Sequence, residues 1–230
     1  MITTSAEINI ERELSDRLFV LSVTLERYKQ WVPGMFMQIS LERKSASEPW
    51  LDSRAFSFAS WGSNKASILV RKEGNFTTAL ISKAKVGFIT TVRYPFGNFL
   101  LNSDGDKIFI AGGAGVSVFL SFLDFLNVKK YKTERVLLFH SAIMESETLR
   151  KIYTKNFTNN VSIKQFITGK NDPSYTGRFT IDSLLSSSIE PCDFEFYVCG
   201  PPDFNNYWKE KLKIYGVIPR LEEWENQVND

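Results

Sequence analysis

"KIFIAGGAGVSVFLSFL", residues 107–123, is the most informative stretch of this chain. It opens with the β-branched and aromatic residues of a buried strand, passes through a glycine cluster at 112–115, and continues with apolar residues at helical spacing. We predict a strand, a glycine-rich turn and a helix that begins near Val116. The stretch approaches the length of a membrane span, but the glycines and Asp124 interrupt it, so we expect no membrane-spanning segment.

The rest of the second half repeats this alternation of strand and helix. Strand-like segments read "RVLLFHSA", "VSIKQFIT" and "FEFYVCG", and longer segments with helical spacing separate them. After the last strand, one helical face is predicted to carry Phe204, Trp208, Leu212 and Tyr215, with Gly216 as the C-cap. Alternating strands and helices indicate a parallel sheet covered on both faces, a Rossmann-like α/β arrangement.

The first half has a different character. From Ile8 to about Phe99 the apolar segments are short and punctuated by glycine and proline: "RLFVLSVTLE", "GMFMQISLE", "RAFSFAS", "ASILVRKE" and "KVGFITTV". Several short strands at this spacing indicate a small antiparallel β-barrel or sandwich. The segment "LLNSDGD", residues 100–106, is the expected boundary, which divides the chain into domains at 1–102 and 103–230.

Composition narrows the possible partners. The chain has 230 residues, and its 28 Lys and Arg against 26 Asp and Glu give a net charge of +2, so nothing points to a nucleic-acid partner. Cys192 and Cys199 are the only cysteines, too few for a four-cysteine iron-sulfur or zinc site, and we expect no metal in this chain. The amino terminus shows no signal-peptide pattern, and we expect a cytoplasmic protein.

The glycine cluster predicts a phosphate-binding turn. Gly112, Gly113 and Gly115 let the backbone approach a ligand, and a helix that begins there would point free N–H groups at a diphosphate. The spacing is not the G-x-G-x-x-G of the common dinucleotide fingerprint, and a tight turn with nothing bound is the alternative. "FYVCGPPDF" supports the ligand, because a second strand ends in Cys199 and Gly200 at the edge where parallel sheets bind ligands.

Taken in order, these segments resemble the ferredoxin-NADP reductase family of flavin-dependent oxidoreductases. The resemblance rests on "RAFSFAS", "IAGGAGVS" and "VCGPPDF" and covers nearly the whole chain. Further matching segments are "PGMF" at 33–36, "GNFTTAL" at 74–80, "PFGNF" at 95–99 and "LEEW" at 221–224. It implies an N-terminal antiparallel Greek-key β-barrel that binds flavin, followed by the Rossmann-like domain that binds NAD(P).

The resemblance assigns the flavin to Arg54, Ala55, Phe56 and Ser57, which match the family's motif of arginine, any residue, an aromatic and serine or threonine. It implies that Arg54 pairs with the flavin phosphate, Phe56 packs against the flavin, and Ser57, a catalytic residue, hydrogen-bonds near the reactive nitrogen. The family usually has tyrosine at the position of Phe56, so a hydroxyl contact is absent here. A strand with a surface arginine is the alternative.

Further flavin contacts are implied for the segment "ILVRKEGNFTTAL". Leu69 and Val70 would run alongside the cofactor, and a turn that opens a helix onto its phosphates would comprise Gly74, Asn75, Phe76, Thr77 and Thr78. Thr77 matches the family's hydroxyl. An ordinary N-cap threonine ahead of a helix is equally consistent with the sequence.

On the nucleotide side the family usually reads GGTGITP, where this chain has Gly112, Gly113, Ala114 and Gly115 and ends on Val118. Ala114 removes a hydroxyl and Val118 a proline, so we expect diphosphate binding without one side-chain contact. Cys199 matches the cysteine beside the nicotinamide and is a second catalytic candidate, followed by Gly200 and Pro201. A buried cysteine that ends a strand is the alternative.

Three further side chains have weaker assignments. Trp224 lies where family members often place an aromatic that shields the flavin, and it is the third catalytic candidate, although a helix-packing tryptophan is equally consistent. His140 follows a strand and receives no catalytic role, because hydride transfer through a flavin needs no imidazole base. Cys192 has only a structural interpretation.

The expected function is electron transfer from NAD(P)H through bound FAD to an acceptor such as a ferredoxin or a partner subunit. FMN in place of FAD is possible. The alternatives are an electron-transfer subunit of a larger complex and a flavin-binding module without turnover. Thr168 matches the family's 2′-phosphate hydroxyl, but the arginine position falls on Gly169 and Lys170 comes one place late, so NADH or dual use is expected.

Overall fold

The computed structural model describes residues 1–99, 101, 105–129, 135–185 and 190–222. These residues form two compact units. The barrel unit is built from Met1–Leu101 and Ser117–Val128, and the parallel-sheet unit from Asn102–Val116 and Lys129–Glu223, counting the described residues of each range. The expected boundary segment at 100–106 lies partly outside the described residues.

The barrel unit contains six antiparallel strands. They are β1 (Ile2–Glu13), β2 (Leu18–Leu25), β3 (Phe36–Ser40), β4 (Ser53–Ser57), β5 (Lys65–Arg71) and β6 (Phe88–Phe96). Their order in the sheet is β4-β3-β6-β1-β2-β5. An antiparallel bridge between Phe58 and Ile68 joins the two ends of this order, so the sheet curls toward closure. The expected antiparallel Greek-key barrel is confirmed.

Aromatic and aliphatic side chains fill the inside of this barrel. Trp31 stacks on Phe58 with ring centroids 4.1 Å apart, and Tyr94 meets Phe58 edge-to-face. The β2 strand is buried along almost its whole length, which explains its continuous apolar sequence. One helix, α1 (Gly74–Ala84), packs Leu80 and Ile81 against this core.

A second helix of the barrel unit, α2 (Ser117–Lys129), follows the glycine cluster, as the sequence predicts. The Trp61 main-chain N–H donates to the Asp124 carboxylate at 3.0 Å, and the Ser121 hydroxyl donates to the Ser60 carbonyl at 3.1 Å. Trp61 also packs edge-on against Phe125. Asp124, which interrupts the apolar run in the sequence, is buried, and the main-chain hydrogen bond that it accepts compensates for the burial of its carboxylate.

The parallel-sheet unit contains five parallel strands. They are β7 (Lys107–Gly112), β8 (Val136–Ala142), β9 (Val161–Ile167), β10 (Glu195–Cys199) and β11 (Arg220–Leu221), in the order β11-β10-β7-β8-β9. Its helices are α3 (Leu149–Ile152), α4 (Ile181–Leu185) and α5 (Pro202–Lys213). The predicted Rossmann-like arrangement is confirmed. The chain runs from β7 outward to β9 and then returns to the other side of β7 with β10, which makes a topological switch point between β7 and β10.

The α5 helix differs from its prediction at Tyr215 and at the C-cap, which is Ile214 rather than Gly216. Trp208 and Leu212 are fully buried, and Phe204 packs at the edge of the same core. Tyr215 is 42% exposed, because the helix ends at Lys213 and the chain turns away before reaching it. None of the helices in the described part of the chain is both long and apolar enough to span a membrane.

Candidate flavin and nucleotide sites

The "RAFSFAS" motif lies on β4 and its continuation, at one end of the barrel sheet. Arg54 is exposed, Ala55 is half-buried, and Phe56 and Ser57 are buried. The Ser57 hydroxyl oxygen is fully buried and has no hydrogen-bond partner among the described residues. A buried hydroxyl without a partner is costly in an ordinary strand, so this one fits a site that a ligand completes.

Arg54 and two phenylalanines form a small cluster on this strand. The Arg54 guanidinium lies 5.5 Å from the centroid of the Phe76 ring, and Phe76 stacks at 6.3 Å on Phe56. One guanidinium nitrogen donates to the Ser53 carbonyl at 2.8 Å. A guanidinium has five N–H donors, so this contact orients Arg54 and leaves most of its capacity for an anion.

The amino-terminal end of α1 supplies main-chain donors next to this cluster. Its N-cap residue, Glu73, has extended backbone and makes no side-chain capping bond. The Thr77 hydroxyl accepts from the Glu73 N–H at 2.7 Å and donates to the Glu73 carbonyl at 2.6 Å, and the Thr78 hydroxyl donates to the Gly74 carbonyl at 2.8 Å. Both hydroxyls are therefore turned toward their own helix, and an anion here would meet first-turn N–H groups.

The remaining predicted flavin residues divide by burial. Val70 is fully buried within the barrel core, so only its main chain could touch a cofactor. Leu69 alternates with it on β5 and is 6% exposed. Asn75 is exposed at the start of α1, next to Gly74, whose φ of 71° favours glycine.

In the parallel-sheet unit, the predicted nucleotide residues gather at the switch point. Gly112 ends β7, and Gly113 begins a short 3₁₀ turn with a φ of 55° that favours glycine. A Cβ placed on Gly115 would lie 2.3 Å from the Cys199 carbonyl oxygen at the end of β10. Because Gly115 has no side chain, the turn after β7 can lie directly against the end of β10.

The Phe204 ring packs against two glycines of this region, Gly112 and Gly200. A Cβ on Gly112 would lie 3.0 Å from the Phe204 ring, and one on Gly200 would lie 2.6 Å from it. Pro201 follows as the N-cap residue of α5. The glycines thus serve packing as well as ligand approach, which the sequence alone does not separate.

Cys199 is buried at the end of β10, beside a carboxyl group. Burial raises the pKa of the Cys199 thiol well above its usual value, and the neighbouring Glu222 adds to this, so the group stays a thiol at neutral pH. Glu222 is 3% exposed, and burial raises the pKa of its carboxyl group from 4.5 to about 8. Its Oε1 atom has no hydrogen-bond partner in the described part of the chain.

Two residues of this region had no role in the sequence analysis. The Asn205 side-chain amide on α5 donates to the Glu222 carbonyl at 3.1 Å and so holds the segment after β11. The Asn205 side-chain oxygen is also buried without a partner among the described residues. Glu222 belongs to the quoted "LEEW" segment, and a glutamate directly after an apolar strand end was the available signal.

Thr168 follows β9 at the same edge of the sheet. Its hydroxyl donates to the Ala142 carbonyl at 3.0 Å. A Cβ on Gly169 would lie 2.3 Å from the Ile143 carbonyl oxygen, so no side chain fits there without a backbone shift. Lys170 is exposed. Trp224 lies outside the described residues.

Solved structures share this architecture. The ferredoxin reductase in carbazole 1,9a-dioxygenase superposes with a TM-score of 0.78 at 19% identity, covering 97% of this chain and 69% of that one. A ferredoxin NADP+ reductase from Neisseria gonorrhoeae, with bound FAD and NADP, superposes with a TM-score of 0.73 at 17% identity, covering 98% of this chain and 95% of that one. This chain has the ferredoxin-NADP reductase fold.

Sequence relatives are components of a larger enzyme. The F subunit of Na(+)-translocating NADH-quinone reductase in Serratia proteamaculans is 30% identical over 155 residues, which cover 61% of this chain and 37% of that protein. Its counterpart in Methylococcus capsulatus is 28% identical over 193 residues, covering 71% and 46%. The matched part of this chain thus spans less than half the length of these relatives. No protein-family model matches the chain.

For a chain with the ferredoxin-NADP reductase fold, the residues of the barrel unit fit a flavin, and those of the parallel-sheet unit fit a dinucleotide. The fit on the flavin side rests on the buried Ser57 hydroxyl without a partner in the described ranges and on the exposed Arg54 guanidinium. The fit to a dinucleotide rests on the glycine turn after β7, where Gly115 lets the main chain pack against the end of β10 at the switch point. Val118, at the position where the resembled family has a proline, is fully buried in the first turn of α2.

Proposed function

We propose that this chain is a flavin-dependent oxidoreductase that takes electrons from NAD(P)H and passes them through FAD to an acceptor. In this proposal residues 1–102 hold the flavin and residues 103–230 hold the nucleotide. The observation that carries it is the buried Ser57 hydroxyl, which has no partner within the described ranges and belongs to the flavin-binding motif. FAD, when bound, accepts a hydride equivalent from NAD(P)H and releases electrons to an acceptor.

The barrel unit would bind and orient the flavin with three side chains. Arg54 neutralises a phosphate oxygen with donors that its contact to Ser53 leaves available. Phe56 offers a buried ring surface to a flat heterocycle. Ser57 donates its hydroxyl hydrogen near the reactive ring nitrogen. Ala55, Leu69, Val70, Gly74, Asn75, Phe76, Thr77 and Thr78 complete the proposed contacts.

The parallel-sheet unit would bind the nucleotide mainly with its main chain. The turn of Gly112, Gly113, Ala114 and Gly115 presents N–H groups to the diphosphate. Cys199, a neutral thiol because of its burial, would lie beside the nicotinamide, with Gly200 and Pro201 next to it. Thr168 would contact the adenosine end, and Trp224 would cover the flavin until the nicotinamide displaces it.

The proposal is tested by the colour of the purified protein. A flavin-loaded chain is yellow and bleaches anaerobically when NADH or NADPH is added. Ser57→Ala removes one oxygen without changing the strand, so we expect it to retain flavin and to bleach on the order of a hundred times more slowly. A colourless preparation that takes up no added flavin contradicts the proposal, and flavin binding without bleaching favours the module without turnover.

We further propose FAD rather than FMN as the flavin. The support is the pairing of "RAFSFAS" with "ILVRKEG", which is more similar to the FAD-binding members of the family. Flavin released by heat and separated by chromatography decides between them, and FMN as the released flavin contradicts this part alone.

NADH, or dual use, is the proposed electron donor. The position where NADP-dependent relatives place an arginine is Gly169, and the Ile143 carbonyl oxygen lies 2.3 Å from where a Cβ would stand. An arginine cannot occupy that position without moving backbone. The missing charge-assisted contact would lower the preference for NADPH by roughly tenfold to a hundredfold.

The acceptor is proposed to be an electron-carrier protein such as a ferredoxin or a partner subunit. The relatives that match over 61% of this chain are named as a subunit of an NADH-quinone reductase, which favours a subunit role as the second candidate. We place the chain in the cytoplasm, where the NAD(P)H pool lies. Co-purification at native expression levels distinguishes a free reductase, which elutes alone, from a subunit.

A further inference from the structure

His140 lies on β8, beside the central strand β7 of the parallel-sheet unit, and bonds to two other segments. It is fully buried on β8, next to Ala111 of β7. Its Nε2 atom lies 3.0 Å from the Gly113 carbonyl oxygen in the glycine turn. Its Nδ1 atom lies 3.1 Å from the Leu149 main-chain nitrogen at the start of α3.

These two contacts fix the state of the ring. A main-chain N–H can only donate, so Nδ1 must be the unprotonated acceptor for Leu149. A carbonyl oxygen can only accept, so Nε2 must carry the hydrogen that it donates to Gly113. His140 is therefore a neutral imidazole with the hydrogen on Nε2, and both of its nitrogens are satisfied.

The bond to Gly113 sets the direction of a neighbouring donor. The Gly113 carbonyl and the Ala114 N–H belong to one peptide group, which is trans, since the only cis bond in the described chain is Tyr94-Pro95. In a planar trans peptide the C=O and N–H vectors point in opposite directions. Because the carbonyl points at His140, the Ala114 N–H points away from the imidazole.

This donor matters because the turn has lost a side-chain contact. Ala114 stands where the resembled family has a threonine, so no hydroxyl is available at this position. The main chain of a glycine turn can flip a peptide plane at low steric cost, and Gly113 already has a φ of 55°. The Gly113 carbonyl belongs to the 3₁₀ turn, and the imidazole gives it a further partner that favours one orientation of the peptide plane between Gly113 and Ala114.

A hydrogen bond also holds the Nδ1 side of the imidazole ring. Leu149 donates to Nδ1, and the next main-chain N–H, that of Arg150, donates to the Gln165 side-chain oxygen on β9 at 2.9 Å. Two side chains from adjacent strands thus accept the first N–H groups of α3. This second contact keeps the ring from rotating, so the Nε2–H remains directed at the glycine turn.

We infer that His140 is a positioning residue for dinucleotide binding, which holds the Gly113 carbonyl so that the Ala114 N–H is directed at the diphosphate. This inference rests on the proposed function, because it requires a dinucleotide at the switch point. His140 touches neither substrate nor flavin in this role. It acts by orienting the peptide group between Gly113 and Ala114.

A matched pair of variants separates positioning from general structure. The amide nitrogen of His140→Gln can take the place of Nε2 and keep the bond to Gly113, whereas the amide oxygen of His140→Asn can take the place of Nδ1 and keep the bond to Leu149. Each variant keeps one of two hydrogen bonds, so we expect similar losses in melting temperature. We expect the NADH dissociation constant to rise about tenfold in His140→Asn and to stay within about twofold of wild type in His140→Gln.

The experiment uses the flavin-loaded full chain, with bound flavin and melting temperature measured for each variant. Equal NADH affinity in His140→Asn and wild type overturns the inference, as does equal weakening in both variants. A wild-type chain that binds neither NADH nor NADPH overturns the proposed function as well, so the two failures are distinguishable.

A measurement on the wild type needs no variant to fold. His140 is the only histidine in the chain, so its imidazole nitrogen signals are unambiguous in a tag-free, ¹⁵N-labelled sample. We expect the pattern of a neutral ring with hydrogen on Nε2, and a change in the Nε2 signal on adding NADH. Hydrogen on Nδ1, or an Nε2 signal that NADH leaves unchanged at saturation, overturns the inference.

Discussion

The two candidate binding regions use different parts of the chain. Along β4 the barrel unit offers side chains, namely the exposed Arg54, the buried Phe56 ring and the buried Ser57 hydroxyl. After β7 the parallel-sheet unit offers main chain, a turn whose Gly115 has no room for a side chain. A side-chain site can lose one contact and keep the others, whereas a main-chain site depends on the path of the backbone.

The two regions therefore tolerate different substitutions. At the flavin motif, Phe56 stands in place of the family's tyrosine and the cluster with Phe76 still forms. At the glycine turn, Ala114 is accommodated because it is half-exposed, while Gly112 and Gly115 face Phe204 and the Cys199 carbonyl.

The largest effect is expected from Gly115→Ala. Its Cβ would stand 2.3 Å from the Cys199 carbonyl oxygen, a main-chain atom that cannot rotate away, so the glycine turn must move away from the end of β10. We expect NADH affinity to fall by at least about a hundredfold, equivalent to about 3 kcal/mol, while flavin content is unchanged. Titration of NADH into the flavin-loaded protein measures the first, and the absorbance ratio of flavin to protein measures the second.

Ala114→Ser is the matched control, because it also adds one heavy atom to the turn. Ala114 is half-exposed, so the serine hydroxyl has room and nucleotide binding should persist. If Gly115→Ala binds NADH as well as Ala114→Ser does, the nucleotide region does not depend on backbone path and the comparison fails.

The next effect in size is expected from Arg54→Ala on the flavin side. Loss of a charge-assisted contact to phosphate weakens flavin binding by roughly tenfold to a hundredfold, while the barrel stays folded because Arg54 is exposed. Equilibrium dialysis of flavin against the apoprotein measures the change. Arg27→Ala removes an exposed arginine of the same unit and should bind flavin normally, and equal loss in both variants would point to net charge rather than to a site.

Sequence patterns predicted the architecture well wherever apolar residues were dense. The glycine stretch gave the order of β7, turn and α2, and five barrel strands were placed near their observed positions. None of the predicted strand segments covers the β1 strand, Ile2–Glu13, although it lies in the middle of the sheet. Its sequence is polar on one face, and pairing with β2 and β6, which no local pattern reveals, determines its extent.

The site was predictable as motifs but not as contacts. The family resemblance implies Thr77 as a phosphate hydroxyl, with an ordinary N-cap threonine as the alternative, yet only the structure shows that this hydroxyl bonds to the Glu73 main chain. Glu222 received no role, because its burial depends on Asn205 of α5 and on β11, which are distant in sequence. Main-chain orientation, such as that of the Gly113 carbonyl, has no residue signature at all.

Glu222 is an exception in the nucleotide region, because it is a buried ionisable side chain in a region otherwise built from main chain. Its folded pKa of about 8 lies above the ordinary 4.5, so between these values the folded state holds a proton that the unfolded state has released. Stability from this group is therefore present below about pH 4.5 and is lost as the pH rises toward about 8. The slope approaches one proton, about 1.4 kcal/mol per pH unit.

Glu222→Gln removes this proton exchange at constant shape. We expect the variant to match wild type in unfolding free energy below about pH 4 and to exceed it progressively as the pH rises to about 8, as measured by denaturant unfolding at each pH. Glu210→Gln, an exposed position on α5, is the control and should follow wild type. Parallel profiles for wild type and Glu222→Gln would show that the carboxyl group is not held protonated.

The smallest effect is expected from Lys170→Ala. Lys170 lies in the part of the nucleotide region where a side chain, rather than main chain, could contact the nucleotide. Lys170 is exposed and follows Gly169, whose surroundings exclude a side chain, so no cation is built into the position that NADP-dependent relatives use. A solvated lysine contributes little to binding a phosphate, and we expect the ratio of kcat/KM for NADPH to that for NADH to change less than about threefold. Steady-state kinetics with both nucleotides on wild type, Lys170→Ala and the control Lys209→Ala measures this ratio. A strong NADPH preference in wild type that Lys170→Ala abolishes, and Lys209→Ala leaves intact, would show that Lys170 reaches the 2′-phosphate. The nucleotide region would then use a side chain for its specificity after all, as the flavin region does for its affinity.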